Sequence, residues 1–141
     1  MAEVTGQQLI DMAVKFKGTP YLFGAEVKKE NPNPKAFDCS EFVEYVCAQF
    51  GVKMPDGSQN QFNYCKGRPM TLMSAKTIAG ALVFRYDKVQ KRIVHVGFSD
   101  GKGNTVEARG KDYGTNVFAW RASWTHAALI PGVVYPPPGT K

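Results

Sequence analysis

A chain of 141 residues, 43% hydrophobic and 21% charged, can bury one core but is short for two domains. No apolar run approaches the roughly 20 residues of a membrane span, and no basic segment followed by an apolar one opens the chain, so neither an integral membrane segment nor a secretory signal is expected. The formal charge of +6 implies attraction to a polyanion, whether nucleic acid, an anionic membrane surface or a wall polymer. The lysines and arginines are scattered, with no basic helix and no RNP-like aromatic motif, which argues against nucleic acid; a merely solubilising surface accounts for the charge better than any polyanion partner. Three cysteines cannot all pair with one another, and reduced thiols are expected.

Thr5-Gly6-Gln7-Gln8 is a capping-box pattern, with Val4 placed to staple onto Leu9; Leu9, Ile10, Ala13 and Phe16 then predict a helix ending at Gly18. Thr19 to Gly24 reads as extended or turn, because Pro20 pushes the residue before it out of the helical region. The polar stretch from Glu26 to Lys35, with Asn31-Pro32-Asn33-Pro34 inside it, predicts a surface loop. Asp38 is a good N-cap, and Glu41 can reach back to the cap's own amide, so a helix should start at Cys39. Phe42, Val43, Val46, Cys47 and Phe50 form its apolar face, Glu41, Glu44 and Gln49 its wet one, and Gly51 its stop. Pro55-Asp56-Gly57 predicts a turn before a short helix over 58–65.

From residue 80 the period changes. Ala81 to Phe84 is an apolar run of strand length, and Arg92 to Phe98 alternates, with Val94, Val96 and Phe98 on one face and His95 and Gly97 on the other. Asp100 to Asn104 is a Gly-rich hairpin turn; beyond it Val106 and Ala108 share one face, and Thr105, Glu107 and Arg109 the other. A hairpin closing around Gly101 would stand His95 directly opposite Glu107, whereas a one-residue slip would put them on opposite faces. Further strand pieces are expected at Val117 to Trp120 and Ala127 to Ile130. Helices followed by antiparallel strands give the α+β class, with residues 1–135 as a single domain and 136–141 as a Pro-rich tail or the start of a linker.

A thiol in the first turn of a helix faces unsatisfied backbone N–H groups and the positive end of the helix dipole, both of which favour thiolate. Position alone leaves Cys39 divided between a nucleophile and a small buried hydrophobe; a base decides. His95 has Glu107 within reach to fix its tautomer, and either could equally be a solvent-facing strand residue, while His126 has no such local partner. Zinc held by some of Cys39, Cys47, Cys65, His95 and His126 is disfavoured by the lack of Cys-x-x-Cys or His-x-x-x-His spacing, so no metal or other cofactor is expected.

Several stretches together resemble the NlpC/P60 family of papain-like cysteine peptidases, which cut peptide stems of bacterial cell walls. Thr19-Pro20-Tyr21-Leu22-Phe23-Gly24 is similar to its tyrosine-bearing segment, Phe37-Asp38-Cys39-Ser40 to its nucleophile motif, and Pro55 through Ser58 to Gln61 to its Pro-x-x-Ser-x-x-Gln. Gly80 to Phe84 resembles its first core strand, and His95 to Phe98 with Val106-Glu107-Ala108 its histidine hairpin. The resemblance implies a papain-like fold, N-terminal helices packed on a central antiparallel sheet. It implies Cys39 as nucleophile, His95 as base and Glu107 as orienting residue, with Tyr21 and the Cys39 amide binding the oxyanion and Asp38 and Ser40 flanking the site, although cap and first-turn roles suffice for the last two. It also implies a peptidoglycan peptide as substrate, cut at a D-glutamyl to diamino-acid bond through a thioester; a monomer is expected.

Four departures stand out. Glu41 occupies the place of a common Gly, Gly80-Ala81 that of Gly-Asp, and Glu107 that of a frequent second histidine; the loop between Tyr21 and Cys39 is long. An amidase or acyltransferase on the same scaffold, or a non-catalytic wall-binding module, are the alternatives. With no signal peptide visible, synthesis in the cytoplasm and action at the wall are expected, as a phage lysin, a tail-associated hydrolase, an injected effector or a domain excised from a larger protein.

Overall fold

The computed structural model describes residues 3–136. Pro137, Pro138 and Gly139 of the expected tail lie outside them. Strand β1 (Val4–Thr5) leads into α1 (Gly6–Ala13), whose capping box is complete: Thr5 Oγ1 accepts from the Gln8 amide at 3.2 Å, and the Thr5 amide donates to Gln8 Oε1 at 2.9 Å. The helix then tightens to a 3-10 turn over Val14–Phe16, two residues short of Gly18. Next come α2 (Cys39–Ala48), α3 (Ser58–Cys65), β2 (Pro69–Met70) and α4 (Leu72–Ala75). The rest of the chain supplies β3 (Leu82–Asp87), β4 (Arg92–Ser99), β5 (Asn104–Ala108), β6 (Thr115–Ala119), β7 (His126–Ala128) and β8 (Val133–Val134).

Six strands form one antiparallel sheet in the order β2-β7-β3-β4-β5-β6, while β1 and β8 pair in parallel near the two ends of the chain. Period-two alternation sends Leu82, Phe84, Val96, Phe98, Val106 and Ala108 into the main core with Leu9, Phe37, Phe42, Val43 and Val46 from the N-terminal half. The other face carries Val83 and Ala127, covered by Ala75, Ile78 and Trp124. The architecture is therefore α+β, N-terminal helices on a central antiparallel sheet. No helix among the described residues is long and apolar enough to cross a membrane.

The start of β3 depends on a close backbone approach. A Cβ on Gly80, at φ +87°, would lie 2.5 Å from Gly6 Cα, and one on Gly6 would lie 2.0 Å from the Ala79 carbonyl. Small residues at both positions let the beginning of α1 rest on the sheet.

Two local expectations are corrected. Ile93, not Val94, takes the first core position of β4, because the ladder pairs Arg85 with His95 and Tyr86 with Ile93, leaving Val94 as the extra residue of a bulge. Helix α3 holds that bulge: the Ile93 amide donates to Gln59 Oε1 at 2.7 Å, and Ser58 Oγ donates to the Ile93 carbonyl at 3.3 Å. The predicted strand over 127–130 is β7 at 126–128, and β1, β2, α4 and β8 are too short to leave a periodic signal.

Candidate active site

Helix α2 begins at Cys39 because Asp38 caps it. Asp38 Oδ1 accepts from the Glu41 amide at 2.8 Å and from Ser40 Oγ at 3.3 Å, and Oδ2 accepts from the Gly24 amide at 3.1 Å. Cys39 is half-buried at the first helical position, the most accessible of three free cysteines. Cys47 and Cys65 are fully buried in the main core. Burial pushes the Cys47 thiol well up and lifts Cys65 to about 12, Arg68 offsetting part of the latter rise.

Glu41 does not complete a capping box. Its carboxylate turns to the preceding loop, where Oε2 accepts from the Val27 amide at 2.7 Å and from Lys29 Nζ at 3.2 Å; Glu41 is buried, not wet. Lys29 also pairs with Glu44 at 3.0 Å, Gln49 Nε2 donates to the Lys29 carbonyl at 2.8 Å, and the Tyr45 hydroxyl donates to the Asn31 carbonyl. The loop of residues 25–36 is thus fastened along α2. Carboxylate oxygens of Glu41, Glu44 and Asp56 come within 4.8 Å of one another, and the Lys29 ammonium supplies the cation there.

Tyr21 is brought beside Cys39 by a parallel bridge to Phe37, in which the Phe37 amide donates to the Pro20 carbonyl and the Leu22 amide to the Phe37 carbonyl, each at 3.0 Å. Burial, then the nearby Cys39 and Asp38, raise its phenol to about 12, so it remains an O–H donor at neutral pH. Asp38 and Ser40 are placed by cap and packing. Gln61, fully buried, ties that turn down: Nε2 donates to the Ser40 carbonyl at 2.9 Å and to the Pro55 carbonyl at 3.0 Å.

His95, 9% exposed, has Cys39 on one side and hydrogen-bonds Glu107 on the other, with Nε2 and Glu107 Oε1 2.7 Å apart. That leaves Nδ1 as the nitrogen for Cys39. Burial by itself would lower the imidazole's pKa, but the bonds and charges of Cys39 and Glu107 outweigh it and bring it to about 9. Glu107 is not directly across from His95. Asp100 Oδ1 accepts from the amides of Lys102 at 2.7 Å and Asn104 at 3.0 Å, closing the turn around Lys102, and the ladder pairs Phe98 with Val106 and Ser99 with Thr105. Moving the turn centre by one residue displaces the pairing by two, so both side chains keep their face and meet diagonally.

Two residues of this site, Arg121 and Trp124, left no local signal in the sequence, and the Thr105 hydroxyl, read only as sharing a face with Glu107, joins them. Arg121 Nη2 donates to Glu107 Oε1 at 2.7 Å, and the Thr105 hydroxyl donates to Glu107 Oε2. Trp124, buried, stacks on His95 with centroids 5.5 Å apart and planes 16° from parallel. Arg121 and Trp124 come from the β6–β7 connection, distant in the chain from Cys39 and His95, so only the fold brings them here. Arg109 turns away to the Tyr113 ring, at 3.9 Å. His126 is exposed, bonded to Thr125 Oγ1 at 2.8 Å and two strands from His95 in the sheet, and among the described residues the five considered for zinc do not bring three ligand atoms together.

A thiol beside an imidazole that is hydrogen-bonded to a carboxylate, with a phenol next to the thiol, can carry out acyl transfer. The NlpC/P60 family pattern matches residues 18–129. A probable endopeptidase of Corynebacterium glutamicum is 33% identical over 107 residues, 76% of this chain and 44% of that protein. The bifunctional muramidase/DL-endopeptidase CwlT of Bacillus subtilis is 33% identical over 93 residues, 64% of this chain and 25% of that protein. The chain thus spans less than half the length of either relative. The crystal structure of the NlpC/p60 domain of the peptidoglycan hydrolase SagA superposes with a TM-score of 0.74 at 26% identity, over 90% of this chain and all of that one. Family pattern, sequence identity and superposition lead to one family: the chain belongs to the NlpC/P60 family of cysteine peptidases.

Proposed function

We propose that this chain is a cysteine endopeptidase acting on the peptide stems of peptidoglycan, and that residues 1–135 are one monomeric catalytic domain. The observation that carries the reading is His95, hydrogen-bonded to Glu107 and set beside Cys39 at a capped helix start. The Cys39 thiolate attacks the scissile carbonyl carbon, and the oxyanion that forms is held by the Cys39 amide and the Tyr21 hydroxyl. Collapse breaks the C–N bond; the His95 imidazolium gives its proton to the departing amine, leaving a thioester on Sγ. Neutral His95 then takes a proton from water, the hydroxide attacks the thioester, and the carboxylic acid product leaves as the thiolate is restored. Glu107 holds the imidazole with Nδ1 toward Cys39.

The DL-endopeptidase named among its relatives supports cleavage at a D-glutamyl to diamino-acid bond. A net charge of +6 suits work against anionic wall polymers, and the setting we propose is the bacterial cell wall, reached as a phage lysin or tail-associated hydrolase. The test is digestion of defined muropeptides by the wild type and Cys39→Ala, read by mass spectrometry. A new free amine on the diamino acid, absent with Cys39→Ala, is the expected result. Equal digestion by Cys39→Ala would end the nucleophile assignment, and release of the whole stem from the sugar would make the chain an amidase.

A further inference from the structure

Glu107 is fully buried, and its Oε1 accepts two bonds at once, from His95 Nε2 and from Arg121 Nη2, each 2.7 Å long. The second bond has a chemical consequence. A neutral side chain could orient the imidazole without bringing any charge into the site, but a buried carboxylate needs a cation. If His95 were its sole charged partner, Glu107 would favour imidazolium at every stage, and the base would hold back the proton that the leaving amine requires. Arg121 is a cation at all working pH values.

We propose that Arg121 is a positioning residue for the catalytic base: it neutralises Glu107, so that the Glu107–Arg121 pair orients His95 as a unit without net charge and leaves the imidazole able to gain and lose its proton. This rests on Cys39 and His95 being nucleophile and base.

The guanidinium is held for that role. Arg121 Cζ lies 4.9 Å from the centroid of the Trp124 ring, and Trp124 in turn stacks on His95, so cation, indole and imidazole are layered beside the carboxylate. Arg121 Nη1 is buried with no hydrogen-bond partner among the described residues. A guanidinium kept there with one nitrogen unsatisfied fits a demand for its charge better than a demand for its hydrogen bonds. Glu107 responds accordingly: burial would raise its carboxyl, but the bonds from His95 and Arg121 hold it below the ordinary range. The remaining charged or titratable groups around His95 are Cys39 on α2, with Tyr21 and Asp38 beside it, and Arg85, its register partner on β3. Among the described residues, Arg121 is the cation other than His95 that bonds to Glu107.

The test follows the His95 ring by NMR titration in the full chain carrying Cys39→Ser, so that no substrate is needed, with muropeptide kcat/KM measured in parallel on chains retaining Cys39. Arg121→Met and Arg121→Gln should each raise the His95 midpoint by about one pH unit, a tenfold change in proton affinity. Arg121→Lys should keep it near wild type. Glu107→Gln should lower it by a similar amount, and Glu107→Gln/Arg121→Met should return it toward wild type and recover part of the activity that Glu107→Gln loses. A merely structural arginine would lower the melting temperature while leaving the midpoint in place. That result, or additive losses in the double variant, would overturn the proposal, and Glu107→Gln with its double decides the matter if the single Arg121 variants do not fold. Midpoints that shift as expected in a chain that leaves muropeptides intact would instead count against the peptidase reading alone.

Discussion

His95 and Glu107 meet across a diagonal, with Nε2 and Oε1 2.7 Å apart, and the β4–β5 register, extended by one pair, sets Gly97 opposite Glu107. The carboxylate can cross to the imidazole because Gly97 has no side chain in the way. A Cβ there would stand 3.0 Å from Glu107 Cβ and 3.4 Å from Trp124 Cη2. Gly97→Ala should therefore cost about 1–3 kcal/mol in stability from overpacking. It should also lower kcat/KM by roughly tenfold or more, because it displaces both groups that set the ring. Urea unfolding and muropeptide kinetics on one preparation check this; unchanged kinetics with lowered stability would remove Gly97 from the site's geometry.

The pH dependence has a definite sign. His95 is raised from 6.5 to about 9 in the folded chain, so the stability it contributes is fully present below about pH 6.5 and is lost as pH rises through about 9. Glu107 is lowered from 4.5, so its contribution is present above that value and is lost as pH falls below it. The alkaline limb of kcat/KM should fall near pH 9 as the imidazolium is lost. Denaturant midpoints measured from pH 6 to 10 should decline for the wild type and decline less for His95→Gln; parallel curves would show that His95 is not the group responsible.

Much of this centre could be read in the sequence because its parts are local. Asp38 before a periodic apolar stretch marks the helix start, and strict alternation puts His95 and Glu107 on one face whether the turn centres on residue 101 or 102. What could not be read depends on distant partners. The bulge at Val94 is imposed by Gln59 and Ser58 of α3, and the burial of Glu41 by a loop twelve to fourteen residues earlier in the chain. Arg121 and Trp124 sit in a connection with no periodicity, so neither spacing nor pattern could join them to Glu107 and His95.

The three thiols should separate cleanly by reactivity. Cys39 is half-buried at a helix start beside His95, while Cys47 and Cys65 are fully buried with their thiols pushed far up. Iodoacetamide at mildly acidic pH should modify Cys39 alone, with Cys47 and Cys65 reacting only after unfolding, as peptide mapping would record. Equal labelling of all three in the native chain would contradict an activated Cys39.

Tyr21 offers a test of oxyanion binding apart from nucleophile activation. Its phenol, raised to about 12, can donate from beside the thiol throughout the working pH range. Tyr21→Phe should lower kcat on the order of 100-fold, the usual effect of removing one oxyanion donor, while iodoacetamide still alkylates Cys39 at close to the wild-type rate, since that reaction forms no oxyanion. Equal losses in both reactions would assign Tyr21 to holding the thiol.

Glu41 replaces a glycine often found after the nucleophile motif, and its carboxylate is spent on the Val27 amide and Lys29. The loop of residues 25–36 therefore stands as a fixed wall along α2, with Gln49 and Tyr45 holding its far part. Glu41→Gly should release the near end: amide exchange at Val27 and its neighbours should speed up at least tenfold, since the Val27 bond to a buried carboxylate is lost. Activity should change mainly in KM if the proposed stem-peptide substrate lies against this loop, because His95 and Glu107 keep their bond beside Cys39 while the loop loosens. Lys29→Ala should act in the same direction but more weakly, about 0.5 kcal/mol, since its ammonium is one-third exposed and partly screened. A fall in kcat at constant KM in Glu41→Gly would instead mean that the carboxylate acts on the thiolate two residues away.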